Sequence, residues 1–230
     1  MLTLLCVLCL YFCKLDVMLA FSSASSSSKK NVASFGMGCF WEPQQYWQNI
    51  DGIIDVKVGY CGGETSQKNP PTYKEVCSGT TNHVETVLIE YDEKRISYKD
   101  LLYKFYNYKG ELLSNVGQYS AVIFTHDDNQ KIILKDVIED LEQRGNNRIN
   151  IAMIKEASIF YPAERYHDSF WKKQNLRNSL LALSLLSQYL PLPSSINGDI
   201  KAFAGIVPIG YVLLFLFERF IEPRDNPIIP

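Results

Sequence analysis

The sequence predicts an α+β fold. The expected core is a ferredoxin-like split βαβ unit with a mixed sheet, its helices on one face, followed by C-terminal hydrophobic helices. Three observations carry this. Segments of strand and helix character follow one another as strand, helix, strand, strand, helix, strand. The segment "HVETVLIEYD" alternates with period two, as a strand should. Two later segments, "SYKDLLYKFYNY" and "DDNQKIILKDVIEDLEQRG", carry helical periodicity with start and stop signals.

Taken in order, "NVASFGM" reads as the first strand. "WEPQQYWQNI" reads as a helix, with Pro43 in the first turn, where its missing N–H costs nothing. "GIIDVKVGY" is β-rich, with Ile54, Val56 and Val58 alternating. A Gly- and Pro-rich loop is expected from Cys61 to about Thr72, and then the strand around Val84. Ser97 caps the next helix, with Asp100 at its third position. "SAVIFT" is a strand, and the long amphipathic helix after it ends at Gly145. "IAMIKEASIFYP" reads as one further extended run, and "AERYHDSFWKKQN" as a last helix. In this layout the first strand hands over to the first helix at Gly38-Cys39.

The 230 residues divide into three zones: a presequence over 1–30, a catalytic domain over 31–175 and a hydrophobic tail over 176–230. The near-balanced charge of −2, without a basic stripe, argues against a nucleic-acid binder. The apolar run from Leu2 to Cys13 suits a signal-peptide core; small residues, a serine tract and Lys29-Lys30 follow. The sum resembles a two-part presequence of secondary plastids, with a plain secretory signal as the competing reading. In the tail, Ala202 to Phe217 is uncharged, which suggests a membrane helix over 202–220. That is shorter than the about 20 residues a crossing takes, and Pro208 interrupts it. A tail packed on the body is the plainer reading.

Six cysteines are present, three of them in the N-terminal apolar segment. Cys39, Cys61 and Cys77 remain in the body, without a paired spacing for disulfides or zinc. Cys39 stands at a predicted helix start, where backbone N–H groups and the helix dipole lower a thiol pKa. Gly38 permits a tight turn there and leaves the sulfur open. Against this, a free cysteine is usually a small core residue. Phe40 and Trp41 point in different directions, so one of them can line a pocket beside the sulfur. Tyr73, Glu85 and Tyr119 fall where the topology can gather them near the first strand. A thiol, a carboxyl kept neutral by burial and two phenols suit the reduction of an oxidised sulfur: the thiolate attacks, the acid protonates the departing oxygen, and the phenols hold it. The plainer readings are a solvated Glu85, a turn aromatic at Tyr73 and a core Tyr119.

The motifs "GCFWEPQQYW", "VGYCGG", "NPPTYKEVCSGTTNHVETVLIEYD", "QYSAVIF" and "FYPAERYHDSF" stand in that order. Together, from about Ala33 to about Phe170, they resemble the A-type peptide methionine sulfoxide reductases. The resemblance implies that Cys39 is the nucleophile on the sulfoxide sulfur of the S epimer and that Glu85 is the acid. It implies that Tyr73 and Tyr119 hydrogen-bond the oxygen, and that Phe40 and Trp41 form the pocket for the S-methyl group. A Cys39 sulfenic acid would form, methionine would leave, and thioredoxin or a similar thiol would restore the enzyme. The substrate would be methionine sulfoxide, free or in proteins. No metal or organic cofactor is implied, and a monomer is expected. His83 reads as a loop residue near the site, His167 as structural, and His126 as a surface residue at a helix start.

The chain departs from the family pattern in four places. Glu42 stands where glycine is usual, and can compete with the thiolate for the helix field. Asn115 stands where an aspartate is usual. Tyr108-Lys109-Gly110 replaces a His-Asp-Pro. No cysteine follows Cys77, so the usual C-terminal resolving thiols are missing from this sequence. Cys61, between glycine-rich flanks, is a candidate resolving thiol; direct reduction of Cys39 by an external thiol is the alternative. Two other function classes compete. A cysteine hydrolase needs a histidine base, which nothing near "GCFW" supplies. A divergent, membrane-tethered copy that binds methionine-containing proteins without turnover conflicts with the complete set of Cys39, Tyr73, Glu85 and Tyr119.

Overall fold

The computed structural model describes residues 31–63, 70–113, 116–187, 207–213, 215–217, 219 and 224–229. The presequence expectation over 1–30 and the Asn115 departure lie outside these residues. Strand β1 (Val32–Gly36) leads into helix α1 (Trp41–Gln48), and β2 (Ile53–Cys61) follows. Helix α2 (Tyr73–Cys77) precedes β3 (Val84–Tyr91), and α3 (Tyr98–Tyr106) precedes β4 (Val122–Thr125). Helix α4 (Asp128–Gln143), β5 (Met153–Glu156), β6 (Tyr161–Pro162) and α5 (Phe170–Ser187) complete the order.

The sheet runs β5-β4-β1-β3-β2-β6. Strand β1 is antiparallel to both β3 and β4, and β2 is antiparallel to β3. The central four strands are therefore the predicted split βαβ arrangement. The parallel β4–β5 pair makes the sheet mixed.

Side-chain alternation gives the sheet two faces with different work. Phe35, Val58, Tyr60, Val87, Ile89 and Ile123 face the helices and form the main core with Trp47, Leu101, Leu102 and Phe105. Phe35 stacks on Trp47 at 5.6 Å and tilts against Phe105 at 5.2 Å, so one aromatic of β1 fastens both α1 and α3. Cys61, Val84, Leu88, Val122, Phe124 and Phe160 form a smaller cluster on the other face.

Local signals account for most helix ends. Ser97 and Asp100 form a capping box on α3, and the Asp127 side chain accepts from the Gln130 amide at the start of α4. Three expectations are corrected. Tyr73 is not in the loop but opens α2, through a second capping box made by Thr72 and Glu75. The run "IAMIKEASIFYP" splits into β5 and β6, which lie on opposite edges of the sheet. Residues before Phe170 form turns rather than helix, with His167 N–H donating to the Glu164 carbonyl and Ser169 at φ 51°.

Helix α5 continues across 175 without interruption. Residues 207–213 and 215–217 are helical, and among the described residues no helix is long and apolar enough to cross a membrane. The final described segment packs on the body: Ile228 makes an antiparallel bridge with Phe160, and its side chain joins the smaller cluster.

Candidate active site

The site lies at the end of the sheet where β1, β2 and β3 meet the start of α1, with α2 and the turn before β4 beside it. Gly36 closes that end, because a Cβ there would lie 2.7 Å from the Ser120 carbonyl oxygen. Gly38, at φ +82°, turns the chain out of β1, a conformation that costs an L residue strain. Cys39 follows, exposed, and α1 begins at Trp41 with Phe40 as its cap.

Two orphan amides at the helix start are divided between two partners. The Phe40 amide donates to the Glu85 carboxylate at 3.2 Å. The Trp41 amide lies next to the Cys39 sulfur and favours its ionised form. Even so, the thiol is pushed up rather than down, which reverses the expectation from the helix dipole. Crowding by protein atoms around the sulfur is the main cause, and repulsion from Glu85 and Glu42 adds to it. The predicted competition from Glu42 is thus present, but it is the smallest of these effects.

Glu85 lies in β3 opposite Tyr60 of β2, only 1% exposed. Burial pushes its carboxyl up to about 7, against the hydrogen bonds from Phe40 and Gln118 that favour the ionised form. The Gln118 amide reaches Glu85 at 3.4 Å and the Cys77 sulfur at 3.2 Å. Tyr73 and Cys77 lie four residues apart on α2, hence on one helix face. The Tyr73 hydroxyl lies beside the Cys77 thiol and the Tyr119 hydroxyl. Burial raises both phenols, so each keeps its proton at neutral pH.

A cleft of about 350 Å³ opens over Cys39, lined among others by Trp41, Glu42, Tyr108, Tyr119 and Trp171. Trp41 is half-buried and stacks on Phe170 at 4.0 Å with nearly parallel planes. Phe40 is buried beneath it, against Tyr60 and His167, and supports the wall without lining the cleft.

The structure thus gathers Cys39, Trp41, Tyr73, Glu85 and Tyr119 around one end of the sheet. It does not bring Cys61 to them. Cys61 follows Tyr60 on β2, so its side chain points to the opposite face, 1% exposed. Its thiol meets the Ser158 hydroxyl at 3.4 Å, and burial pushes it up. The glycine flank is not loose either: the Gly62 amide donates to Ser158, and a Cβ at Gly62 would strike Phe124 at 2.7 Å.

Three contributors were missed or underrated from the sequence. His167 is 2% exposed and is neutral, pushed down to about 4 by burial. It accepts from the Trp41 indole at 3.2 Å and packs against Tyr73 at 4.6 Å, so it ties the two walls together. Glu164 accepts from the Tyr60 hydroxyl at 2.9 Å and from the Tyr73 amide at 2.8 Å. Gln118 was visible only as part of "QYS". His83 is buried with neither ring nitrogen hydrogen-bonded, packed edge-on to Tyr161. His126 is half-buried and bonded to Ser34 at 2.8 Å, and so is not the freely exposed surface residue expected. Among the described residues no group of three His, Cys, Asp or Glu side chains could hold a metal ion.

A split βαβ sheet that presents an open thiol beside a proton-holding carboxyl and two protonated phenols defines a cysteine-based oxidoreductase. Known proteins narrow this further. A family model described as peptide methionine sulfoxide reductase matches residues 31–189, and the chain belongs to that family. It is 41% identical over 150 residues to a peptide methionine sulfoxide reductase MsrA of Methanococcus maripaludis, a match covering 63% of this chain and 93% of that protein. It is 36% identical over 167 residues to the MsrA of Methanothermobacter thermautotrophicus, covering 70% of this chain and 96% of that one. Among solved structures it is similar to reduced Mxr1 from Saccharomyces cerevisiae. There the TM-score is 0.56 at 28% identity, over 67% of this chain and 91% of that one.

Proposed function

We propose that this chain reduces the S epimer of methionine sulfoxide, free or in proteins, to methionine at the expense of a thiol. The observation that carries the reading is Glu85, a carboxyl poised near 7 by burial and held by the amide next to Cys39. It can keep a proton at neutral pH and deliver it to a departing oxygen. Cys39 supplies the nucleophile. Its raised thiol ionises as the substrate enters, and the sulfur attacks the sulfoxide sulfur. Glu85 protonates the oxygen, and Tyr73 and Tyr119 donate hydrogen bonds to it. The oxygen ends on Cys39 as a sulfenic acid and methionine leaves. Cys39 sulfur is oxidised by two electrons and methionine sulfur is reduced by two; the proton from Glu85 stays on the oxygen as the O–H of the sulfenic acid, and the proton released by the thiol returns Glu85 to its protonated form, so no net proton is consumed. Trp41 takes the S-methyl group.

Burial of Cys61 on the other face favours direct reduction of the Cys39 sulfenic acid by an external thiol, thioredoxin or a similar donor, over resolution by Cys61. Residues 1–30 act as a presequence, directing the protein to a plastid or into the secretory pathway; N-terminal sequencing of the mature protein tests this, and an intact Met1 would rule out cleavage.

The deciding experiment follows consumption of the separate S and R epimers of a blocked methionine sulfoxide with dithiothreitol, beside Cys39→Ser. The expected result is consumption of the S epimer alone and an inert variant. Folded protein that consumes neither epimer would leave a binding module for methionine-containing proteins as the better reading.

A further inference from the structure

We propose that the C-terminal segment over 224–229 is a clasp that positions Tyr73, with Arg224 as its working residue. This inference rests on the reductase reading of the Tyr73 site. The segment lies beyond the residues 31–189 that the family model matches.

The geometry is that of a built contact. The Arg224 guanidinium donates to the Pro71 carbonyl at 2.8 Å through Nη1. It donates to the Pro162 carbonyl through Nε at 3.1 Å and through Nη2 at 2.5 Å. One planar fork therefore joins the start of α2 to β6, which a flexible ammonium could not do with the same geometry. Glu164 lies 3.9 Å from the same guanidinium and accepts the Tyr73 amide at 2.8 Å. The first turn of α2 is thus pinned at two points two residues apart, Pro71 by Arg224 and Tyr73 by Glu164.

Further contacts secure the clasp along the strip that carries Glu164 and His167. Ile228 exchanges both backbone hydrogen bonds with Phe160, at 2.8 and 2.9 Å. Asp225 reaches Arg165 at 3.4 Å. Helix α2 has five residues and buries one of them, Val76, so a single core side chain is most of what resists a tilt. A tilt would move the Tyr73 hydroxyl at the far end of the side chain, away from the oxygen it holds.

The test is a double-mutant cycle on the full chain, Arg224→Ala and Tyr73→Phe, with the blocked S epimer as substrate and dithiothreitol as reductant. Arg224→Ala is expected to lower kcat about 10-fold with KM little changed, because Tyr73 acts on the oxygen as it departs. In the Tyr73→Phe background the same substitution is expected to change kcat less than about 2-fold. Arg224→Lys restores at most part of the loss. An equal loss in both backgrounds, or none in either, overturns the clasp. Wild-type protein that leaves the S epimer unreduced overturns the reductase reading instead. Amide hydrogen exchange across α2 then decides the clasp by itself: faster exchange in Arg224→Ala supports it, and unchanged exchange overturns it.

Discussion

Cys39, in the turn past the end of β1, and Cys61, the last residue of β2, are two free thiols that differ in their access to substrate. Both thiols are raised above the ordinary value, mainly by burial. The shift therefore does not tell them apart. Access does. Cys39 sits in a turn past the end of β1, open to a cleft that also holds a phenol and an indole. Cys61 is the last residue of β2, sealed among Val84, Phe124 and Phe160 and tied to Ser158. A reactive thiol needs an approach for its substrate as well as a means of ionising.

The largest effect that can break this comparison is loss of the nucleophile. Cys39→Ser is expected to abolish sulfoxide reduction, whereas Cys61→Ser keeps kcat within about 2-fold, since its hydroxyl can still bond Ser158. An inactive Cys61→Ser protein with a native melting profile would restore Cys61 to the recycling chemistry. Next is the acid. Glu85→Gln should lower the rate of the reduction step by about 10²–10⁴-fold. In the wild type that step should weaken as pH rises through about 7, where Glu85 ionises, and the variant should lack that inflection.

The same carboxyl predicts a smaller, thermodynamic effect. The folded protein holds the Glu85 proton up to about 7, against the ordinary 4.5 of an unfolded chain. Between these values the folded state binds the extra proton, so this group's contribution is fully present below the lower value and is lost as pH rises through the upper one. Glu85→Gln should therefore gain stability relative to wild type by on the order of 3 kcal/mol between pH 4 and pH 8. Denaturant melts at the two pH values measure it. A comparable loss is expected from Trp47→Ala, about 3–5 kcal/mol, because Trp47 is fully buried and stacked on Phe35. Last, brief iodoacetamide treatment of folded protein should alkylate Cys39 and Cys77 and spare Cys61 until the chain is unfolded. Labelling of Cys61 at the rate of Cys39 would contradict the sealed face.

The core of the fold was legible because its signals are local. Period-two alternation marked β3, Ser97 and Asp100 marked the start of α3, Gly145 marked the end of α4, and the strand–helix order marked the topology. The short helix α2 was missed although Thr72 and Glu75 carry its capping box, since five residues leave no periodicity to read. The break between β5 and β6 was also invisible: both halves read as extended, and only their separate partners, β4 and β2, pull them to opposite edges.

The site divides in the same way. By itself the sequence determined the residue types and their order, Cys39, Tyr73, Glu85 and Tyr119, and the turn at Gly38 that leaves a thiol at a helix start. Tertiary structure decided what those residues are worth chemically. Burial depth, which no short stretch encodes, pushed Glu85 to about 7 and His167 to about 4 and raised Cys39 against the pull of the helix. Strand register turned Cys61 away from the site, although one residue earlier Tyr60 faces it. The contacts of Gln118, Glu164 and Arg224 join segments from 33 to 153 positions apart along the chain. Such contacts leave no mark in a single sequence, because a desolvated charge or a shared hydrogen bond depends on which distant atoms fill the space around it.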